Sequence, residues 1–193
     1  VDRIELKGHP IPAGLAFTKD GATLYAALHH DNQILKIDAR TKELGARWNT
    51  ELAPFALALR DQTLYVSNRA GKVRASGKQA PSGKQDLPTD DAGSALNGTL
   101  QVFDTASGKA GSFDVGLAPA GIALSPSGDQ LIIANAHADT FSIFDTKARR
   151  MSTVDIDRET NLPGLLPNFA AFRPAGARLY IACGGENSIV VFD

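Results

Sequence analysis

Cysteine is almost missing from these 193 residues: Cys183 stands alone, so no disulfide can form within the chain and no cysteine-rich zinc site can be built. Net charge is scarce as well, with 20 basic side chains against 21 acidic ones and a formal charge of −1. That balance gives no basic footprint for nucleic acid and no pull toward an anionic membrane. Long apolar runs are missing too, because Gly, Pro or a charged residue interrupts every hydrophobic stretch before the ~18 residues a spanning helix needs. Residues 1–6, VDRIEL, lack the basic start and apolar stretch of a signal peptide. No segment sustains the 3.6-residue apolar period of a helix. The GxSxG elbow, the HExxH zinc motif and the EF-hand loop are all absent. A phosphate loop is only mimicked at 71–79, where the spacing is one residue too long and Gln79 replaces the Ser or Thr that would hold magnesium. Asn97-Gly98-Thr99 fits a glycosylation acceptor, but Asn-Gly before a strand reads as a turn.

What the chain does contain is a repeat. Four segments align: IPAGLAF at 11–17, APFALAL at 53–59, APAGIAL at 118–124 and LPNFAAF at 166–172. Their prolines, Pro12, Pro54, Pro119 and Pro167, set the register. Four residues after each comes an alanine (Ala16, Ala58, Ala123, Ala171), and five after comes a large apolar residue (Phe17, Leu59, Leu124, Phe172). A second strand follows from Leu24, Leu64, Leu131 and Leu179. A third ends on Asp38, Asp104, Asp145 and Asp193. Breakers such as Asp20-Gly21, Ser125-Pro126-Ser127-Gly128 and Pro174-Ala175-Gly176 separate the first two strands. Fourth strands are expected near residues 44–48, 112–115 and 152–156. Units of 40–50 residues with four strands each read as the antiparallel blades of an all-β propeller. A right-handed β-solenoid is the rival, but its rungs are shorter and rarely carry such paired turns. The small alanine on one face of the first strand, with bulky neighbours on the other, suits blades packed face to face near a crowded axis.

The blade boundaries follow from the repeat. Residues 1–10 hold the last strand of a preceding blade, at 3–6. Complete blades are expected at 11–51, 52–116 and 117–161, and 162–193 is a blade without its fourth strand. The second unit places 40 residues between its leucine and aspartate where its siblings place 14, so it carries 26 extra. This insert, 69–97, is basic first (Lys72, Arg74, Lys78, Lys84) and acidic later (Asp86, Asp90, Asp91), and it has too little apolar content for a core of its own. It reads either as a lid or docking arm or as a plain flexible excursion.

In a propeller, the loops from strand two to three and from strand four to the next blade gather at one end. All four histidines fall there, His9 and His30 among them. The candidate ligand or partner contacts are His29, His30, Asp31, Asn68, Arg69, Arg74, Asn135, His137, Asp139 and Glu186. Histidine with carboxylate can bind metal or do acid–base work, and the alternative is solvated loop residues beside turns. No catalytic residue, metal set or cofactor is assigned.

The words Tyr65-Val66-Ser67-Asn68 and Ile132-Ile133-Ala134-Asn135, with SPSGDQLIIANAHADTFSIFD, resemble the bacterial YVTN-type, WD40-like propeller repeat. The long insert after VSN, through GKQDLPTDDAGSALNGTLQVFD, is similar to the propeller that precedes a phosphoesterase domain in bifunctional bacterial proteins. The resemblance implies a non-catalytic module binding a protein or ligand, a downstream phosphoesterase domain as partner, and a periplasmic or extracellular location. A propeller lactonase is an alternative, although the residues that would face the axis, Leu28, Asn68, Asn135 and Cys183, are mostly neutral. A structural cell-envelope repeat protein is another. Relatives of this kind close with seven blades, so the chain reads as part of a larger ring; a closed four-bladed ring, completed by residues 3–6, is the other arrangement.

Overall fold

A computed structural model of the chain describes residues 2–72, 97–156, 164–174 and 178–193. Fifteen strands and no helix are found among them. The first blade contains β1 (Pro12–Phe17), β2 (Thr23–Leu28), β3 (Gln33–Asp38) and β4 (Leu44–Asn49). The second contains β5 (Leu52–Arg60), β6 (Thr63–Gly71), β7 (Gly98–Asp104) and β8 (Ala110–Val115). The third has β9 (Pro119–Leu124), β10 (Gln130–Asn135), β11 (Thr140–Asp145) and β12 (Arg150–Asp155), and the fourth β13 (Pro167–Phe172), β14 (Leu179–Cys183) and β15 (Ser188–Phe192). Each is an antiparallel meander in sequence order, three sheets of four strands and one of three. These are propeller blades, about four of them.

The repeated residues turn out to be cross-strand partners. Ala16 lies opposite Tyr25, Ala58 opposite Tyr65, Ala123 opposite Ile132 and Ala171 opposite Tyr180. One step on, Phe17 meets Leu24, Leu59 meets Leu64, Leu124 meets Leu131 and Phe172 meets Leu179. Because side chains alternate across a strand, the first set faces the following blade and the second the preceding one. Tyr25, Ala27 and Ile34 of the first blade therefore pack against Leu64, Val66 and Phe103 of the second. Trp48 stacks between Tyr25 and Phe103 at 5.6 and 6.0 Å. Tyr65, Leu100 and Val102 pack in turn on Leu131, Ile133 and Phe144 of the third blade. Ile132 and Phe141 pack on Leu179, Ile181 and Cys183 of the fourth.

The inner strands approach so closely that two positions require glycine. A Cβ on Gly14 would lie 2.9 Å from the Ala56 Cα, and one on Gly121 would lie 2.7 Å from the Asn168 carbonyl oxygen. The second blade carries Ala56 at the equivalent position. Turn chemistry explains why the third strand ends on aspartate. Asp38 Oδ1 accepts the N–H groups of Arg40 and Thr41 at 2.9 and 2.7 Å, and Asp104 and Asp145 do the same for the two corresponding N–H groups in their own blades. Those N–H bonds, from Thr41 and Ser107 above all, hold the Asp38 and Asp104 carboxyls below their ordinary value of 3.8.

The arc has two open faces. Ile189 of the fourth blade is 67% exposed, whereas its equivalents Ile34, Leu100 and Phe141 are buried by the next blade. Phe169 and Val191 are exposed on the same face. On the first blade, Ile4 and Leu6 cover Ala26, Leu28, Leu35 and Ile37, while Leu15 and Phe17 remain exposed. The expected strand at 3–6 is not among the strands formed; the segment lies on the first blade through side-chain packing and pairs with no described strand. The insert also begins later than its expected bounds, because Arg69, Ala70 and Gly71 are the end of β6, with Gly71 opposite Leu52. The expected fourth strands at 112–115 and 152–156 are longer or shifted, since the aspartate turn ends early enough for Ala110 and Arg150 to pair with Phe103 and Asp145.

Three outcomes follow from this packing. Gly121→Ala should destabilise the chain by roughly 1–3 kcal/mol, read from urea midpoints, since backbone cannot yield as a flexible side chain can. Ile189→Ser should change stability by less than about 0.5 kcal/mol, whereas Leu100→Ser should lose several times that. Asp38→Ala should lower Tm at neutral pH. The folded carboxyl titrates below the unfolded one, so its contribution is present above about pH 4 and is lost as pH falls through the folded value. The gap in Tm between variant and parent should therefore narrow toward pH 3.

Candidate functional site

At one end of the sheets, the loop between the second and third strands of the first, third and fourth blades is tied to the chain entering that blade. The His29 and His30 N–H groups donate to the Ile11 and Pro10 carbonyls at 3.0 Å each. Ala136 and His137 donate to Ala118 and Leu117, and Gly184 and Gly185 to Leu166 and Leu165. The residue before every repeat proline is left-handed without being glycine: Ile11, Ala53, Ala118 and Leu166 have φ of 48, 59, 48 and 49°. Such a conformation costs about 1–2 kcal/mol per residue, and in the first, third and fourth blades its carbonyl is held by the loop N–H. Four occurrences mark it as part of blade construction.

Several expected contact residues serve the same construction. Asn68, within β6, and Asn135, at the end of β10, are fully buried. Asn68 Nδ2 donates to Thr99 Oγ1 and Gln101 Oε1 at 3.2 Å each, and Asn135 Nδ2 to Thr140 Oγ1 and Ser142 Oγ at 2.9 and 3.0 Å. Both tie a second strand to a third, and their Oδ1 atoms have no hydrogen-bond partner among the described residues. Asp139 Oδ1 accepts the Leu165 N–H at 2.7 Å, and the equivalent Asn32 Oδ1 accepts the Ala53 N–H at 2.8 Å, so each clasps the next blade. Asp31 is paired with Arg47 at 3.4 Å. Glu186 Oε1 is buried without a hydrogen-bond partner, beside Cys183, whose thiol is pushed up by burial and then by the Glu186 charge. His137 is exposed, on a different blade from His30, which is half-buried. Arg74 lies outside the described residues.

Two candidates do converge, on a residue absent from the expected set. The His29 ring meets Phe55 edge-on at 6.4 Å, and the Arg69 guanidinium lies over the same ring at 4.9 Å. Phe55 also packs against Ala118, Ala120 and Ala136, so three blades meet around it. Its signal in the sequence is a break in the repeat: the residue after the proline is Ala13, Ala120 or Asn168 in the other units. Phe55 further borders an open cleft of about 270 Å³ between the inner strands, where Gly14, Ala56, Gly121 and Phe169 also lie.

The electrostatics of this cluster are set by burial. It lowers the His29 pKa below 6.5, with the Arg69 charge adding in the same direction against the hydrogen bond to Pro54. His29 Nδ1 lies 3.2 Å from the Pro54 carbonyl, which can only accept, so Nδ1 carries the proton of the neutral ring. Burial also lowers the Arg69 pKa below its ordinary value. Among the described residues, no side-chain hydrogen bond or ion pair is made by the Arg69 guanidinium. Among the described residues no three His, Cys, Asp or Glu side chains are grouped to hold a metal ion.

No family model and no curated protein matches the sequence. Solved structures do match. Kuenenia stuttgartiensis hydrazine synthase superposes with a TM-score of 0.72 at 19% identity, over 97% of this chain and 47% of that one. The computationally designed Ika8 protein superposes at 0.64 and 14%, over 97% and 47%. The β-propeller domain of Myceliophteria thermophila Cps50 (Swd1) superposes at 0.64 and 13%, over 94% and 53%. These likenesses establish the propeller fold, and the chain spans about half the length of each of the three.

His29 generates a pH dependence. Its folded pKa is depressed, so below pH 6.5 the unfolded chain takes up the proton first and stability falls as pH drops toward the folded value. In His29→Gln, the slope of unfolding free energy against pH in that window should flatten, as read from urea titrations at half-unit steps.

Proposed function

We propose that the chain is a non-catalytic propeller module that binds a partner protein or ligand through the loop-bearing end, with Phe55, His29 and Arg69 at the centre of the contact. The observation that supports this reading is the meeting of three blades around Phe55 beside an open cleft. A concave mouth with an aromatic and a few polar groups is the usual form of a binding site. The resemblance of the insert to phosphoesterase-linked propellers makes a downstream phosphoesterase domain the favoured partner. The YVTN-type assignment, and the periplasmic or extracellular setting that goes with it, belong to the same proposal. Further blades, in the same chain or in a partner, would cover the faces carrying Ile189 and Leu15. The insert is the docking arm in this reading, with its basic start and acidic end offering complementary charge, which favours encounter rate and specificity more than affinity.

The test replaces residues 72–95 by a four-residue turn. Loop closure depends weakly on length, so stability should stay within about 1–2 kcal/mol. Binding to the phosphoesterase domain, supplied separately and followed by calorimetry, should weaken about tenfold or more. Unchanged binding would remove the docking role. The unaltered chain should not hydrolyse phosphate esters or lactones, with or without divalent metal; turnover lost in His30→Ala or His137→Ala would instead favour an enzyme.

A further inference from the structure

We propose that Arg69, held on the face of Phe55 beside His29, is an oxyanion-binding subsite that takes the phosphate or carboxylate group of whatever occupies the propeller mouth. The inference rests on the reading of this end as the binding end and gives its ligand a chemistry.

Four observations carry it. First, a guanidinium is seldom taken partly out of water without a counter-charge, because desolvation is unfavourable for the charged form. Arg69 is half-buried, yet no described carboxylate pairs with its guanidinium and no described acceptor takes a hydrogen bond from it. Some exposed arginines elsewhere on the chain find carboxylates, as Arg47 finds Asp31 and Arg178 finds Asp193. Second, the Arg69 guanidinium carbon lies over the ring of Phe55, 4.9 Å from its centroid. A cation–π contact uses none of the five N–H donors, and these can match two oxygens of a carboxylate or phosphate at once. Third, the platform is fixed from below: Phe55 is seated on Ala118, Ala120 and Ala136, and Arg69 belongs to β6, whose neighbouring residue Asn68 pairs with Thr99. A preorganised cation loses less freedom on binding than a solvated one. Fourth, the arginine is peculiar to one blade. The residues at the corresponding places are His29, Ala136 and Gly184, so blade construction does not require an arginine there.

His29 serves as the reporter. The Arg69 charge is among the causes that keep its pKa low, so the two groups sense one another. An anion seated on Arg69 would offset that charge and raise the His29 titration midpoint.

The experiment uses the full chain, with His29 and the Arg69 side chain observed by NMR during titration with inorganic phosphate and, separately, acetate at constant ionic strength. Saturable shifts at both residues, with an upward move of the His29 midpoint, are expected. A stronger response to phosphate would assign a phosphate-bearing ligand, and a stronger response to acetate a carboxylate. Arg69→Gln should weaken the binding about tenfold or more while raising the His29 midpoint in the absence of any anion, and an unchanged urea midpoint with unchanged backbone NMR shifts in the neighbouring strands shows that the variant keeps the local fold. Should that variant not fold, Arg69→Lys carries the test: weaker binding than in the parent chain supports the subsite, and equal binding overturns it. No saturable shift with either anion overturns it, as does the same shift persisting in Arg69→Gln. Absence of anion binding to the unaltered chain, with its partner-domain binding intact, would defeat this inference alone and leave the binding-module reading standing.

Discussion

Face-to-face packing of twisted sheets around an axis is the constraint on which the rest of the molecule depends. Sheets that radiate from a centre are crowded at their inner strands and relaxed at their outer ones. Glycine therefore occurs where inner strands touch, at Gly14 and Gly121, and alanine at Ala16, Ala58, Ala123 and Ala171. Aromatic bulk increases outward, as where Trp48 lies between Tyr25 and Phe103 and where Phe113 meets Phe144 at 4.7 Å. Each sheet is thus apolar on both faces and cannot be stable alone, and each is completed by its neighbour. The burial of Ile34, Leu100 and Phe141 beside the exposure of Ile189 expresses the same rule where no neighbour is present.

Loops at the ends of the blades escape this constraint, but not entirely. Left-handed residues ahead of the prolines, and the clasps from Asn32 and Asp139 to the next blade, show that much of the loop chemistry still serves blade joining. The cluster around Phe55 stands apart because only one unit has it. Its chemistry comes from placing an aromatic ring and a cation in positions that are small or neutral elsewhere.

The fold was legible in the sequence because its determinants are local and repeated. The proline, alanine and leucine anchors lie in one hairpin, where they meet Leu28, Tyr25 and Phe17 in the first blade, and the terminal aspartates cap turns only a few residues away. The candidate site was only half legible. His29 and Arg69 stood out as charged loop residues, but their meeting point, Phe55, is brought to them by the packing of one blade on the next. Asn68, Asn135 and Asp139 looked like contacts for a ligand and are used to tie strands and blades, a role invisible until their partners Thr99, Ser142 and Leu165 are in place. Residues 3–6 alternate like a strand, yet they meet the first blade with side chains instead of a hydrogen-bonded partner strand.

An arc of four blades with two open faces can be read most directly from the solvent accessibility of isoleucine methyl groups, measured as NMR broadening by a neutral paramagnetic probe on dilute chain. Ile34, Ile132, Ile133 and Ile181, each within about 1% of complete burial, should be protected, and Ile189, at 67% exposure, should broaden strongly. Protection of Ile189 equal to that of Ile34 in a monomer would contradict the open arc and mean that the first and fourth blades close upon each other.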